Sequence, residues 1–496
     1  MSARTHRRRD RRYRGRRRPI RRDGRTWDVG SVKWASAIPS VVRHRLRRAG
    51  GFAAVATLAL AAPRFGWAAA APFAAVAVLA AFVVDDGPLF ELFARPGDHE
   101  DGRLNGLAGF GLAATGLAIL TAVREAPMPD GVFVATVLLV AFGNLGHELV
   151  RTHTTDEFLT TVGFLAGGFL AGTAGQAAAA AVADSLVPAR VPEFVFLAAV
   201  GALVAALFRS VLFARDDALV MVTVAFLLWL FAALVGTVSA TTVAVGLAVA
   251  VAFGWLSYAL DVASITGMLT GVLLSAVTVV LGGYGWFVVL ITFFAVGGLS
   301  SKFRYEVKRE RGVAEDNDGA RGTGNVLGNA TVALVAVVAA AAAARFLPGR
   351  VVLGWPVHDL LAFAFAGSLA AAMADTLSSE FGGLFDDPRL VTTLEPVDPG
   401  TDGAVTWQGE LAGVVGAALV GAIAAVLMPV GSATTGVGFL VVAGAGVVGM
   451  SVDSLLGATV EGDRFGNQTV NFLATLSGAI AGVGFALAAF VALLAV

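Results

Sequence analysis

The sequence predicts an all-α, polytopic integral membrane protein of about 15 transmembrane helices, roughly 13 to 16 once the helix ends are allowed to shift. Three observations carry that expectation. The chain is 57% hydrophobic and 15% charged with a mean hydropathy of +0.77, where an ordinary soluble domain is about 25% charged. Apolar stretches of roughly 17 to 25 residues recur from Gly50 onward, each long enough to cross a hydrocarbon core of about 30 Å as a helix. None shows the alternation of a barrel strand, so in lipid the backbone hydrogen bonds must close within helices.

The first element is a basic segment. Residues 1–48 carry 18 of the 36 Lys and Arg against three acids, Asp10, Asp23 and Asp28. Arg4 to Arg25 has no apolar periodicity, so the segment reads as a disordered cytoplasmic tail. No aromatic-rich or folded RNA-binding pattern accompanies the charge, which points to a positive-inside anchor rather than to a specific nucleic-acid partner. Arg47-Arg48 resembles a twin-arginine export signal, but further spans follow where a soluble mature domain would stand.

The spans follow in order: 51–65, 67–84, 104–124, 131–149, 158–182, 193–213, 217–236 and 238–257 in an N-terminal membrane domain, 49–257. A C-terminal membrane domain, 258–496, holds 263–282, 284–301, 324–346, 358–378, 409–428, 432–450 and 468–494. With the tail inside, alternation puts loops 85–103, 150–157, 301–323, 379–408 and 451–467 in the cytoplasm of a multi-pass cell-membrane protein. Loop 301–323 holds Lys302, Arg304, Lys308, Arg309, Arg311 and Arg321, as that orientation demands. Loops assigned outside, such as Pro429 to Gly436, are short and nearly uncharged.

Composition excludes some chemistry. Without cysteine there are no disulfides, zinc–thiolate sites or thiol nucleophiles. Sixty glycines, mostly beside alanine in the apolar runs, suit close helix contacts. Lys33, Lys302 and Lys308 are the only lysines, and the residues after the tail carry 18 basic against 33 acidic side chains, a composition expected of a halophilic archaeon. No P-loop, zinc-protease or nucleophile-elbow pattern occurs, and the His147, Glu148, His153 group reads as interface rather than metal site.

Four polar clusters fall on the predicted cytoplasmic side of the C-terminal domain. Asp375, Ser379 and Glu380 end one apolar helix, an arrangement in which carboxylates can hold Mg²⁺ by one or two oxygens while phosphate supplies others. Thr392-Thr393-Leu394-Glu395 precedes a turn, Pro399-Gly400-Thr401-Asp402-Gly403, whose backbone N–H groups can approach an anion. Asp453 interrupts an apolar helix end beside Ser454. Arg321 leads into a span with Asn325 and Asn329 at i, i+4. Acids at span ends are costly in lipid and so are functional candidates.

Together these clusters resemble the membrane family called domain of unknown function 92, which includes transmembrane protein 19 and the plant phytyl-phosphate kinase. The resemblance runs from about Ala259 to Val496 and rests on Arg321, Asn329, Asp375, Thr376, Ser379, Glu380, Pro399, Gly400, Thr401, Gly403, Asp453, Ser454, Gly457 and Asn471. The chain departs from the family pattern at Asn325 and Glu461, where Gln is usual, at Gly328 for Ala and at Ala404 for Gly. What the resemblance implies is a membrane-embedded isoprenoid-phosphate kinase, transferring a phosphoryl group from CTP or ATP to an isoprenyl monophosphate with Mg²⁺. The residues carried over are Asp375, Glu380 and Asp453 as catalytic and metal ligands, and Arg321, Asn325, Asn329, Thr393, Gly400, Thr401, Gly403 and Asn471 as substrate and phosphate ligands. A transporter of a small or lipid-linked solute, or a non-catalytic scaffold, remain as alternatives. The N-terminal half, with Asn144, Glu148, Thr160, Thr161 and Gly163, loosely echoes the same plan and the polyprenol-kinase arrangement, as a degenerate copy lacking its leading carboxylate.

Overall fold

In the computed structural model of the chain, residues 34–211, 217–314, 321–431, 435–461 and 464–494 are described. The first helix, α1, spans Trp34–Ala56, so part of the segment expected to be a disordered tail is helical. Its arginines Arg43, Arg45, Arg47 and Arg48 are interleaved with Val42, Leu46 and Ala49, and Ala49 and Phe52 are buried. That half-apolar face supports a helix where pure arginine would not. The tail from Arg4 to Arg25 lies outside the described residues.

The expected spans 51–65 and 67–84 form one run of turns from Val42 to Phe82, through α2 (Ala62–Phe65) and α3 (Ala70–Phe82), broken at Gly66, whose φ is +55°. The short helices α4 (Gly87–Phe93) and α5 (Asp98–Asp101) lead to α6 (Asn105–Leu120). Then come α7 (Asp130–Arg151), α8 (Glu157–Val182), α9 (Val191–Val211), α10 (Asp217–Leu234), α11 (Ala240–Ala259), α12 (Ile265–Leu281) and α13 (Tyr284–Lys302). After the short α14 (Tyr305–Glu310) follow α15 (Thr323–Phe346), α16 (Val357–Gly382), α17 (Trp407–Leu427), α18 (Thr435–Gly457) and α19 (Asn467–Leu494). Among the described residues, twelve helices are long and apolar enough to cross a membrane, against the fifteen spans expected. The twelve join the expected spans 51–65 and 67–84 into one helical run and leave out α6 and α12, apolar helices of 16 and 17 residues. Besides short 3-10 turns, two small hairpins occur, β1 (Val351–Val352) with β2 (Trp355–Pro356), and β3 (Arg389–Leu390) with β4 (Ala404–Val405).

Polar caps start several helices: Asp156 accepts from the Leu159 N–H at 2.8 Å, Ser239 from Thr242 at 3.0 Å, Ser264 from Gly267 at 3.1 Å and Thr406 from Gly409 at 3.2 Å. Small residues then let backbones meet. A Cβ at Gly146 would lie 2.2 Å from the Gly163 carbonyl oxygen, and one at Gly367 2.5 Å from that of Gly478. In lipid, where apolar association gains little, such close approach is what joins α7 to α8 and α16 to α19.

Two large apolar cores result, one from Phe52 to Val277 and one from Leu274 to Ala486, with a third, small cluster of Ala374, Ala417 and Met450. α12 belongs to both, giving Leu269, Val272 and Val277 to the first and Leu274 to the second.

Neighbouring helices run antiparallel, so their ends collect on two faces. One face joins the end of α7 to the start of α10 (Asn144 with Asp217), the start of α8 to the end of α11 (stacked Phe158 and Tyr258), the start of α12 to Arg321, and the start of α15 to that of α19 (Gly324 with Gln468). The opposite face joins the starts of α13 and α16 (Trp286 with His358) and the end of α8 to the start of α9 (Gln176 with Phe194). All four sequence clusters of the C-terminal domain lie on the first face.

Candidate functional site

Two carboxylates from different helices meet on this face. Asp375, two turns from the end of α16, shares a side-chain hydrogen bond with Asp453, one turn from the end of α18. The second oxygen of Asp453, Oδ1, is buried and accepts no hydrogen bond. Two carboxylates in contact repel unless a proton or a cation lies between them, and the unpartnered oxygen keeps its capacity to accept one more bond. A pair of carboxylate oxygens with open positions is what Mg²⁺ requires of a protein when phosphate and water complete its shell. Asp375 and Asp453 therefore fit that ion.

Glu380 does not join them, contrary to the expectation of a three-carboxylate site. At i+5 from Asp375 it lies about 140° around the helix. Its carboxylate instead pairs with Lys308, and both are buried, Lys308 at 1% exposure and Glu380 at 7%. Lys308 Nζ also donates to the carbonyls of Ser300 and Ser301 at 3.1 and 2.8 Å, closing the end of α13. Removing either partner of such a buried pair costs about 3–5 kcal/mol, because the other charge is left uncompensated. Glu380 Oε2 ties the end of α16 to α13 through Lys308, while its Oε1 is buried with no partner. No group of three or more acidic or histidine side chains able to hold a metal occurs among the described residues.

The Pro-Gly turn forms the roof. Val391 N–H donates to the Gly403 carbonyl, and the β3–β4 register pairs Leu390 with Ala404, fixing where the turn sits. Gly400 and Gly403 have φ of +85° and +72°, in the region that side chains disfavour. Gly403 also touches the end of α18: a Cβ there would lie 2.3 Å from the Ala458 nitrogen, and one at Gly457 2.8 Å from the Gly403 nitrogen. Thr401 N–H and hydroxyl both donate to the Asp398 carbonyl, whereas the N–H groups of Gly400, Asp402 and Gly403 donate to no acceptor among the described residues. Burial, together with the Asp402 and Asp375 carboxylates, raises the pKa of Glu461, whose Oε2 would lie 3.4 Å from a Cβ at Gly457.

The other expected ligands divide. Asn325 keeps a buried Oδ1 without a partner, on the first turns of α15. Asn329 spends its amide on the Asn325 carbonyl at 3.0 Å. Asn471 is buried on the first turns of α19, whose Gln468 packs against Gly324 and Gly328. Arg321, expected as a phosphate ligand, is buried with Nη2 donating to the Gly297 carbonyl (3.3 Å) and the Ser301 hydroxyl (3.4 Å), and its guanidinium lies over Phe293. It ties α13 to the loop it leads. Thr393 is exposed and its hydroxyl accepts from the Glu395 N–H, so it holds a turn. Missed by sequence reasoning were Gln468 and the partnership of Lys308; the rarity of lysine in this chain was the available signal for the latter.

Comparison with known proteins gives a consistent set. The profile of the integral membrane protein DUF92 family matches residues 248–479. An uncharacterized membrane protein of Methanocaldococcus jannaschii is 35% identical over 205 residues, 40% of this chain and 76% of the relative. One from Synechocystis is 33% identical over 207 residues, 41% and 74% of the two chains. The chloroplast protein VTE6 of Arabidopsis thaliana is 31% identical over 153 residues, 31% of this chain and 44% of that one. No solved structure matches the chain.

Proposed function

This chain belongs to the DUF92 family of integral membrane proteins, and from that premise we propose that its C-terminal domain is an isoprenoid-phosphate kinase. The observation that carries this reading is the Asp375–Asp453 pair, with its free Asp453 Oδ1, near a glycine turn in which the N–H groups of Gly400, Asp402 and Gly403 donate to no acceptor among the described residues. A carboxylate pair next to open backbone donors, at the end of a helix bundle, suits a phosphate held at a membrane surface. The likeness to VTE6 and the resemblance to phytyl-phosphate kinases support the same class of substrate.

In the reaction, an oxygen of the isoprenyl monophosphate attacks the γ-phosphorus of CTP or ATP. A new P–O bond forms, the bond from the γ-phosphorus to the β,γ-bridging oxygen breaks, and the nucleoside diphosphate departs with that electron pair. Asp375 and Asp453 would hold Mg²⁺, which when bound neutralises charge on the phosphate oxygens. The N–H groups of Gly400, Asp402 and Gly403 steady the equatorial oxygens of the transferred group. Asn325 offers its free oxygen to a hydroxyl or amine of the nucleotide. The isoprenoid tail lies in lipid along the exposed face of α17, Trp407, Leu411 and Val415, which starts directly after the turn. Catalysis is then positioning and charge neutralisation.

The test is a panel of CTP and ATP against isoprenyl monophosphates of several lengths, with purified protein and Mg²⁺. Formation of isoprenyl diphosphate with one nucleoside diphosphate released per turnover is the expected result. Labelled solute crossing proteoliposomes with no nucleotide consumed would replace this reading by transport.

A further inference from the structure

The N-terminal domain has its own polar cluster, independent of the family match, on the same face of the bundle. Asp217, at the start of α10, accepts from Arg95 Nη2 at 2.6 Å and from Asn144 Nδ2 at 3.1 Å. Arg48 donates to the Ala94 carbonyl at 3.3 Å, and Arg151 Nη1 is 3.9 Å from Glu148 Oε1. Arg209, at the end of α9, lies over the Phe164 ring and within electrostatic range of Asp217, Glu148, Arg151 and Arg95. Four arginines thus stand against two carboxylates.

Two groups in this cluster are unsatisfied. The half-buried Arg209 guanidinium makes no hydrogen bond or ion pair among the described residues, although its five donors are fixed in a fork suited to phosphate. Glu148 is 9% exposed, and its Oε2 is buried with no partner. A buried carboxylate oxygen left without a donor costs about 1–3 kcal/mol or more, so the site is incomplete as it stands. A free arginine fork wants an anion; a free carboxylate oxygen beside it wants a donor.

We propose that Arg209, Arg48, Arg151 and Glu148 form a second binding site, in the N-terminal domain, for a phosphate monoester. As a monoanion, the ligand's charged oxygens meet the arginines while its single P–OH donates to Glu148 Oε2. A phosphodiester has no such hydroxyl, and its only ionisable oxygen is already spent on the arginines. The chemistry selects a monoester over the diesters of the surrounding bilayer.

Calorimetry on the full-length protein in detergent with EDTA tests this, using dodecyl phosphate, inorganic phosphate and the diester dodecyl methyl phosphate. An Asp375→Asn/Asp453→Asn background removes the carboxylate pair of the other site. Dodecyl phosphate should bind in that background, and Arg209→Gln should weaken it about 10- to 100-fold, the loss expected for charge-assisted hydrogen bonds. Equal binding of inorganic phosphate would place the source in solution and leave the site standing. Equal binding of the diester would reduce the cluster to ordinary interfacial lipid contact and overturn it. So would binding that ignores Arg209→Gln, or no binding by the unmodified protein. If Arg209→Gln does not fold, the diester comparison on the unmodified protein decides alone.

Discussion

Asp375 and Glu148 are the acids that correspond in the two halves, and neutralising each has a different consequence. Asp375→Asn keeps the shape of the α16 end but removes charge that a phosphoryl-transfer transition state needs, so turnover of isoprenyl monophosphate should fall on the order of 10²- to 10³-fold. Glu148→Gln, measured in the same assay, should change it by less than about tenfold. Comparable collapse of both folded variants would mean one site shared between the domains, and an active Asp375→Asn protein would remove the metal assignment. Glu461 supplies a pH signature. Burial and then Asp402 and Asp375 raise its pKa when folded, so between its ordinary range and that raised value the folded state binds more protons than the unfolded. Stability must therefore fall as pH rises through that window. In EDTA, thermal unfolding followed by tryptophan fluorescence should show this slope, and Glu461→Gln should flatten it; an unchanged slope would assign the effect elsewhere.

At the scale of elements, the two turn glycines separate backbone conformation from packing. Ala at Gly400 meets Val313 Cγ1 at 3.4 Å, an ordinary contact, and costs only the strain of a positive φ, about 1–2 kcal/mol. Ala at Gly403 carries the same strain and also strikes the Ala458 backbone. Gly403→Ala should abolish turnover and open the 390–405 loop to limited proteolysis, whereas Gly400→Ala should leave the loop protected. Equal protease sensitivity would sink the idea that α18 anchors the turn. The helices themselves were legible because twenty-residue apolar runs have few alternatives in lipid. The acids at the ends of α16 and α18 were legible because charge there is costly. What stayed hidden was long-range: nothing local tells Glu380 that its partner is Lys308, seventy-two positions away, or turns Arg321 toward α13 rather than toward a ligand. The run from Val42 to Phe82 turns back at Gly66: Arg48 of α1 reaches the Ala94 carbonyl, and the Leu104 N–H reaches Ala80 near the end of α3, so both ends share one face, as two spans require.

For the whole molecule, the alternation of helices makes a claim that the absence of native cysteine allows to be checked cleanly. Single substitutions Asp398→Cys and Thr154→Cys should react with an impermeant maleimide from one side of the membrane, and Ser185→Cys and Gly349→Cys from the other. By the positive-inside rule the first pair faces the cytoplasm, and labelling of Asp398→Cys from outside intact cells would invert the map. The positions that would hold the charged ends of both domains' ligands share that face. A phosphorylated lipid moving between the two domains would therefore never have to carry its head group through hydrocarbon, a passage that costs several kcal/mol for a charged group. Exchange between them reduces to lateral diffusion within a single leaflet, over the width of one protein, with the tail remaining in lipid throughout.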